Sequence, residues 1–158
     1  MTEQISNAID AIKLAYLSHT PVVWLVTGDK EVASKIVEEF IVEHYGSYMN
    51  SGQQYLQEFS GKAADFAKEP TVFYDWYVED SNNQKDLMGR VETFITHYEY
   101  MIVNGEKIRA TDEAHLKAIR QSLVIIASPS LPPKSWLTKY IDVIHVRALT
   151  DHEIRDAI

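Results

Sequence analysis

Polar residues follow four short apolar runs, and these positions have the residue types that could carry chemistry. They are Thr27-Gly28-Asp29-Lys30, Asp75-Trp76, Ser128-Pro129-Ser130 and Arg147. If the apolar runs are parallel strands, their carboxyl ends meet at one edge of the sheet, where open α/β proteins bind their ligands. The sequence therefore predicts that hydroxyl, ammonium, carboxylate and guanidinium groups converge on one crevice.

The segment Thr27 to Lys30 lies between the first predicted strand and the next helix, where a phosphate-binding loop would lie. Such a loop has the pattern GxxxxGK[ST], because its glycines turn backbone N–H groups inward and its lysine reaches the terminal phosphates. Here Gly28 is the only glycine, and the Asp29 carboxylate would repel phosphate. The segment predicts a tight turn in which Asp29 caps the helix; weak anion binding through Lys30 is the alternative.

Asp75 follows an apolar run, as the magnesium-binding aspartate of nucleoside triphosphatases does. A hydrolase would place a glutamate directly after it to position water, whereas this chain has Trp76. We interpret Asp75 as a structural aspartate at a strand end; Asp75, Glu79 and Asp80 together could attract a metal ion, but their spacing is not diagnostic.

Other catalytic and metal-binding signatures are missing from the sequence. The six histidines show no HxH or HExxH spacing, there is no GxSxG motif, and the chain has no cysteine. These patterns supply zinc ligands or activated nucleophiles in other proteins. We therefore expect no metal, no cofactor and no catalytic residue.

The elements that must position these residues alternate between strands and helices. Apolar runs predict strands over residues 22–26, 71–77, 122–127 and 142–146, and helical spacing recurs over residues 5–16, 32–41 and 87–98 and after residue 111. This alternation predicts a parallel sheet with helices on both faces. Asn104-Gly105 predicts a hairpin over residues 100–109, because both turn positions favour positive φ.

The alternation of strands and helices is least clear in two regions, between Gly46 and Pro70 and at the end of the chain. A short strand over residues 47–49 and a helical rhythm from Tyr55 to Phe66 are the best reading of the first region. A last helix is predicted to open at Thr150 and to run to Ile158, which suggests that more protein follows or that this is a cut domain.

Length and charge narrow the class of protein. A chain of 158 residues with 46% hydrophobic and 24% charged residues suits a single globular domain, residues 1–158. The net charge of −8 argues against nucleic acid as a partner. No apolar segment approaches the ~18 residues of a membrane span, and the N-terminus lacks a signal-peptide pattern. We expect a cytoplasmic protein without a membrane partner.

Three blocks of the sequence resemble the core of AAA-type ATPases. The first block begins at residue 122 and has the order of features found at the end of that core. A strand (Ser122 to Pro129) is followed by a proline-leucine turn (Leu131-Pro132-Pro133). A valine-isoleucine strand (Tyr140 to Ile144) and an acidic helix start (Thr150 to Glu153) come next. Pro21 to Thr27 resembles the opening of a degenerate N-terminal domain that lacks its phosphate loop. That domain precedes a functional AAA module in cyanobacterial, plastid and archaeal proteins. Thr71 to Trp76 resembles another of its strands, and together the blocks cover roughly half of the chain.

The resemblance implies a three-layer αβα sandwich with a mainly parallel five-stranded sheet of order 5-1-4-3-2. The hairpin from Tyr100 to Arg109 would be an insertion. The chain departs from the family where catalysis needs specific side chains, because the sensor position falls at Pro129 and Lys139-Tyr140 replaces an arginine finger. Phosphoryl transfer in this family needs a phosphate cradle, an acid that orients water, a sensor residue and an arginine finger. In this sequence each of them is missing or replaced.

Three functions are consistent with this sequence. The first is a non-catalytic accessory domain that binds a protein partner or a following AAA ATPase module, to which an acidic surface is suited. The second is a nucleotide- or phosphate-binding domain or enzyme with a non-standard site at the predicted strand ends: Thr27, Gly28, Lys30, Asp75, Ser128, Arg147. The third is a homo-oligomeric scaffold whose interface is formed by exposed aromatic residues between Tyr45 and Phe59.

Overall fold

The structure, a computed structural model, describes residues 3–45, 49–50, 53–54, 56–60, 70–78, 83–103, 106–109 and 113–146. The helices are α1 (Glu3–Leu17), α2 (Lys30–Tyr45), α3 (Asn83–Glu99) and α4 (Glu113–Arg120), with a 3₁₀ helix at Trp136–Tyr140. The strands are β1 (Val22–Val26), β2 (Met49–Asn50), β3 (Gln53–Gln54), β4 (Leu56–Glu58), β5 (Val72–Trp76), β6 (Tyr100–Val103), β7 (Glu106–Arg109), β8 (Leu123–Ser128) and β9 (Ile141–His145).

Five of these strands form one parallel sheet in the order β4-β5-β8-β1-β9. Numbered along the chain within this sheet, the order is 5-1-4-3-2 from the β9 edge, so the predicted order is confirmed. Every residue of β8 is buried, and β1 is buried from Val22 to Leu25. Strands enclosed on both faces read as continuous apolar runs, which is why the sequence indicated them clearly.

The sheet separates two apolar layers. On one face, the apolar sides of α1 and α2 pack against β1, β5 and β8, with Ile12, Ile36 and Phe40 at no measurable exposure. On the other face, α3 and the 3₁₀ helix cover Trp24, Phe73 and Ile126, and Ile119 of α4 joins the same cluster. The three-layer αβα arrangement is therefore confirmed, and helical spacing is explained by one buried stripe on each helix.

The described part of the region between Gly46 and Pro70 differs from the prediction, whereas Tyr55 and residues 61–69 of the predicted helical rhythm lie outside the described residues. Leu56 does not continue a helical rhythm, because Leu56–Glu58 forms the edge strand β4 and pairs in parallel with β5. Phe59 follows this strand, donates its backbone N–H to the Tyr74 carbonyl at 3.0 Å, and is 1% exposed. It belongs to the core and not to an exposed aromatic interface. The predicted strand over 47–49 falls mainly outside the described residues, apart from Met49, which pairs with Gln54 in a small hairpin.

The second hairpin agrees with the prediction where the structure describes it. β6 and β7 pair antiparallel, with Tyr100 opposite Arg109 and Val103 opposite Glu106. The Asn104-Gly105 turn and the predicted helix from Thr150 lie outside the described residues. Among the helices that are described, none is both long and apolar enough to cross a membrane.

Candidate functional site

The carboxyl ends of β1 and β8 meet as predicted, and their polar residues are engaged with the backbone. The Thr27 N–H donates to the Ser128 carbonyl at 2.9 Å, which extends the parallel pairing of the two strands. The Ser128 hydroxyl accepts a hydrogen bond from the Ser130 N–H at 3.1 Å, and Ser128 is fully buried. These contacts stabilise the turn after β8 and leave Ser128 away from solvent.

Thr27 to Asp29 form the short connection between β1 and α2. The Thr27 hydroxyl accepts from the Asp29 N–H at 3.2 Å, and the Asp29 carboxylate accepts from the N–H groups of Glu31 at 3.0 Å and Val32 at 3.2 Å. Asp29 therefore caps α2, as the sequence predicted, and satisfies backbone donors that would otherwise face an anion. Gly28 is exposed, and a Cβ there would meet nothing within 4 Å, so no close approach requires a glycine.

Replacing Asp29 by alanine is expected to lower the free energy of unfolding by about 1 kcal/mol, because two N–H groups of α2 lose their acceptor. Asp29→Asn is the matched control, since asparagine caps about as well and removes only the charge. Urea unfolding of the three proteins measures the effect. Equal stability of the alanine and asparagine variants would show that the cap is not stabilising.

Asp75 lies at the end of β5 and pairs with Arg90 of α3. The Arg90 Nη1 is 3.2 Å from the Asp75 Oδ2, and the Arg90 Nε donates to the Asp86 Oδ2 at 3.1 Å. The same Nη1 donates to the Phe59 carbonyl, and the guanidinium lies 5.6 Å from the Phe59 ring centroid. Arg90 thus ties α3 to β5 and to the residue that follows β4. This network was not predicted, because its members are far apart along the chain.

The charge on Asp75 depends on two opposing influences. Burial raises the pKa of the Asp75 carboxyl above its ordinary value and outweighs the hydrogen bond and positive charge of Arg90, which lower it. The negative charge of Glu58 raises it further. A half-buried carboxyl held by an arginine fits the structural interpretation of Asp75 better than a magnesium ligand.

Trp24 was not predicted as a site residue, yet it fixes the turn that follows β8. It is fully buried in β1, and its indole N–H donates to the Ser130 carbonyl at 2.8 Å. The ring of Tyr77 meets it edge-on, with centroids 5.8 Å apart. The sequence signal that could have indicated this contact was a tryptophan inside an apolar run, because buried indoles generally find a hydrogen-bond acceptor. Pro129 itself remains exposed.

A cleft of about 600 Å³ opens at the carboxyl ends of β4 and β5, beside the first residue of α2. Among the described residues, seven line it: Lys30, Leu56, Gln57, Glu58, Tyr74, Asp75 and Trp76. The structure therefore brings together Lys30 and Asp75 of the predicted site. Thr27, Gly28 and Ser128 are not lining residues, and Arg147 lies outside the described residues. The β4 residues were missed because this strand was not predicted.

Two charged side chains that line the cleft take part in no ion pair among the residues that the structure describes. The ion pairs of the described residues join Lys13 to Glu43 and Arg90 to Asp75 and Asp86, so neither Lys30 nor Glu58 takes part in one. Trp76 and Leu56 are half-buried against the α1–α2 layer. Tyr74 is also half-buried, and burial, together with the negative charge of Asp75, raises the pKa of its hydroxyl, which makes no hydrogen bond with a described residue.

Neither a metal centre nor a relative identifies this site. Within the described ranges, no three histidine or acidic side chains are grouped closely enough to hold a metal ion. Comparisons of the chain with protein-family models, with curated proteins and with solved structures found no match. The function must therefore be inferred from the geometry of this edge of the sheet.

Proposed function

We propose that this chain is a non-catalytic recognition domain with a P-loop NTPase-like fold that serves an AAA-type ATPase by binding protein. The ATPase module would follow in the same polypeptide or belong to a separate one, in the cytoplasm. One observation carries the proposal: the Asp29 carboxylate accepts the N–H groups of Glu31 and Val32 at the start of α2. In nucleoside triphosphatases the equivalent helix start binds phosphate. Here the chain's own carboxylate fills that role.

Two further positions support the absence of hydrolysis. Asp75 is paired with Arg90 and its pKa is raised, whereas a magnesium ligand must be ionised and free to reach the ion. The Ser128 hydroxyl is fully buried and bonded to the next turn, so it is not exposed to an attacking water. Phosphoryl transfer depends on positioned charges, and each of these groups is engaged elsewhere.

Three large apolar side chains are exposed on the segment that runs from the end of β8 through β9, and they are suited to contact with a protein partner. Leu131 is 60% exposed and Trp136 is 59% exposed, although both are large and apolar. Val143, on the edge strand β9, is 38% exposed. Tryptophan is enriched among the residues that contribute most of the binding energy in protein interfaces, so Trp136 is the strongest candidate of the three. We assign these three residues to the proposed contact with the ATPase.

Titration of the purified domain with magnesium-ATP and with ADP tests the loss of nucleotide binding. We expect no heat and no change in melting temperature, because a carboxylate occupies the phosphate position. Asp29→Asn is the matched variant, since it keeps the cap and removes the repelling charge. Binding by the natural sequence would contradict the proposal, and a ligand at a hundredfold excess over its Kd would be seen as about 2.7 kcal/mol of added stability.

Affinity capture with paired variants tests the protein contact. Leu131→Asp is expected to abolish capture of an AAA-type ATPase, whereas Leu14→Asp is expected to leave it unchanged. Leu14 is 66% exposed on α1, so the two substitutions are matched in chemistry and exposure. Capture of no ATPase by the natural sequence, or equal capture by both variants, would count against the proposed function.

A further inference from the structure

We propose that the cleft at the carboxyl ends of β4 and β5 binds a small zwitterionic molecule of the amino-acid class. The anionic group of the ligand would pair with Lys30 and its ammonium group with Glu58, and its apolar body would contact Leu56 and Trp76. This binding is independent of the proposed ATPase partnership, because a domain without hydrolysis can still bind a ligand. The crevice at the carboxyl ends of the strands would then bind a ligand that has no phosphate group.

The location and size of the cleft are those of a ligand site. Open α/β sheets bind ligands outside the carboxyl ends of their strands, and β4 and β5 end at this cleft. Its volume of about 600 Å³ suffices for a small molecule, since small-molecule pockets measure roughly 300–1,000 Å³, but it is a cleft largely open to solvent and not an enclosed cavity. Such pockets combine apolar walls with a few polar groups that orient the ligand, and this lining has both.

The charges of the cleft favour a ligand with one charge of each sign. Asp75 pairs with Arg90, which also pairs with Asp86, so Lys30 and Glu58 are the two other charged side chains among the described lining residues. Both are exposed, and neither makes an ion pair with a described residue. A carboxylate beside Lys30 and an ammonium beside Glu58 would satisfy both charges at once.

The apolar part of the lining strengthens these pairs. Leu56 and Trp76 are half-buried and pack against the α1–α2 layer, so the cleft has a fixed apolar wall. An apolar ligand side chain on this wall would exclude water, and ion pairs gain energy as the local dielectric constant falls. Leucine and tryptophan are suitable probes because each has one charge of each sign and a large apolar side chain.

Other ligand classes fit this lining less well. A nucleotide would bring several negative charges to the single cation Lys30, close to Glu58 and to the capping carboxylate of Asp29. A neutral sugar would remove water from Lys30 and Glu58 without replacing it by an opposite charge, which is unfavourable. A metal ion lacks the grouped acidic or histidine ligands among the described residues.

Calorimetric titration with L-leucine and L-tryptophan tests the proposal directly. N-acetyl-L-leucine lacks the ammonium group and L-leucinamide lacks the carboxylate, and each is expected to bind at least about tenfold more weakly than L-leucine. Lys30→Gln should weaken L-leucine binding and remove its advantage over L-leucinamide. Glu58→Gln should remove the advantage over N-acetyl-L-leucine. The matched controls Lys85→Gln and Glu92→Gln, at exposed positions of α3, should change neither.

The same titrations can overturn the proposal. Absence of binding by both amino acids at millimolar concentration, or equal binding of the blocked compounds, would exclude a zwitterion site. Binding of a neutral sugar such as glucose in place of the amino acids would do the same. Binding of magnesium-ATP would contradict the non-catalytic function and leave the amino-acid result to be judged separately, so the two failures are distinguishable.

Discussion

Replacing Trp24 by alanine is expected to lower the free energy of unfolding by about 3–5 kcal/mol, the cost typical of truncating a fully buried large aromatic side chain. Trp24 has no measurable exposure, and its neighbours in β8 and β9 are Ile126 and Val143. The substitution would leave a cavity in the α3-side layer and would remove the donor to the Ser130 carbonyl. Urea unfolding followed by circular dichroism measures the loss.

Trp24→Phe separates the two contributions. Phenylalanine retains most of the buried ring but cannot donate to Ser130, so we expect a smaller loss, of about 1–3 kcal/mol. The turn from Ser128 to Ser130 should then become more accessible to amide hydrogen exchange than in the natural protein. A Trp24→Phe variant as stable as the natural protein, with unchanged exchange in this turn, would show that the indole hydrogen bond does not fix it.

Replacing Arg90 by methionine is expected to lower the free energy of unfolding by about 1–3 kcal/mol at neutral pH. Its partner Asp75 would remain half-buried and ionised without a counter-charge, and the Phe59 carbonyl would lose a donor. Both side chains of the pair are partly exposed, at 23% and 24%, so the loss should be smaller than for a fully buried pair. Urea unfolding over about pH 3 to 8 measures it.

The loss of stability caused by Arg90→Met should change with pH in a definite direction. Burial already raises the folded-state pKa of Asp75 above the ordinary value of 3.8, and removing Arg90 takes away what lowers it, so the pKa should rise further. When a carboxyl has a higher pKa in the folded state, stability falls as pH rises from the unfolded-state pKa through the folded-state pKa. The cost of Arg90→Met should therefore be smaller below about pH 4, where Asp75 is protonated in both states, and reach its full value above the folded-state pKa.

The double variant Asp75→Asn with Arg90→Met provides the control. Asparagine cannot ionise, so the part of the loss that grows with pH should disappear, whereas the lost contact to Phe59 should remain. Lys85→Met, at an exposed position on the same helix, should have little effect. A cost of Arg90→Met that is equal across the pH range would show that the ion pair with Asp75 is not responsible.

The sequence pattern by itself determined the αβα class and the capping role of Asp29, whereas the order of the sheet was expected only from the resemblance to AAA-type cores. The strands β1, β5 and β8 are short, mainly apolar runs because they lie inside the sheet, and such runs can be read without knowledge of their neighbours. Asp29 caps a helix that begins at the next residue, so its hydrogen bonds span only two or three positions. Interactions of this short range are encoded locally.

Only the tertiary structure decided where the cleft and its supporting contacts lie. β4 is an edge strand with the sequence Leu-Gln-Glu, which has no apolar run, and it exists because its backbone pairs with β5. Arg90 reaches Phe59 across 31 positions, and Trp24 reaches Ser130 across 106. Lys30 and Glu58 line the same cleft although they are also far apart along the chain. Contacts between distant residues depend on how helices and strands pack, and the spacing of residues along one chain does not reveal that packing.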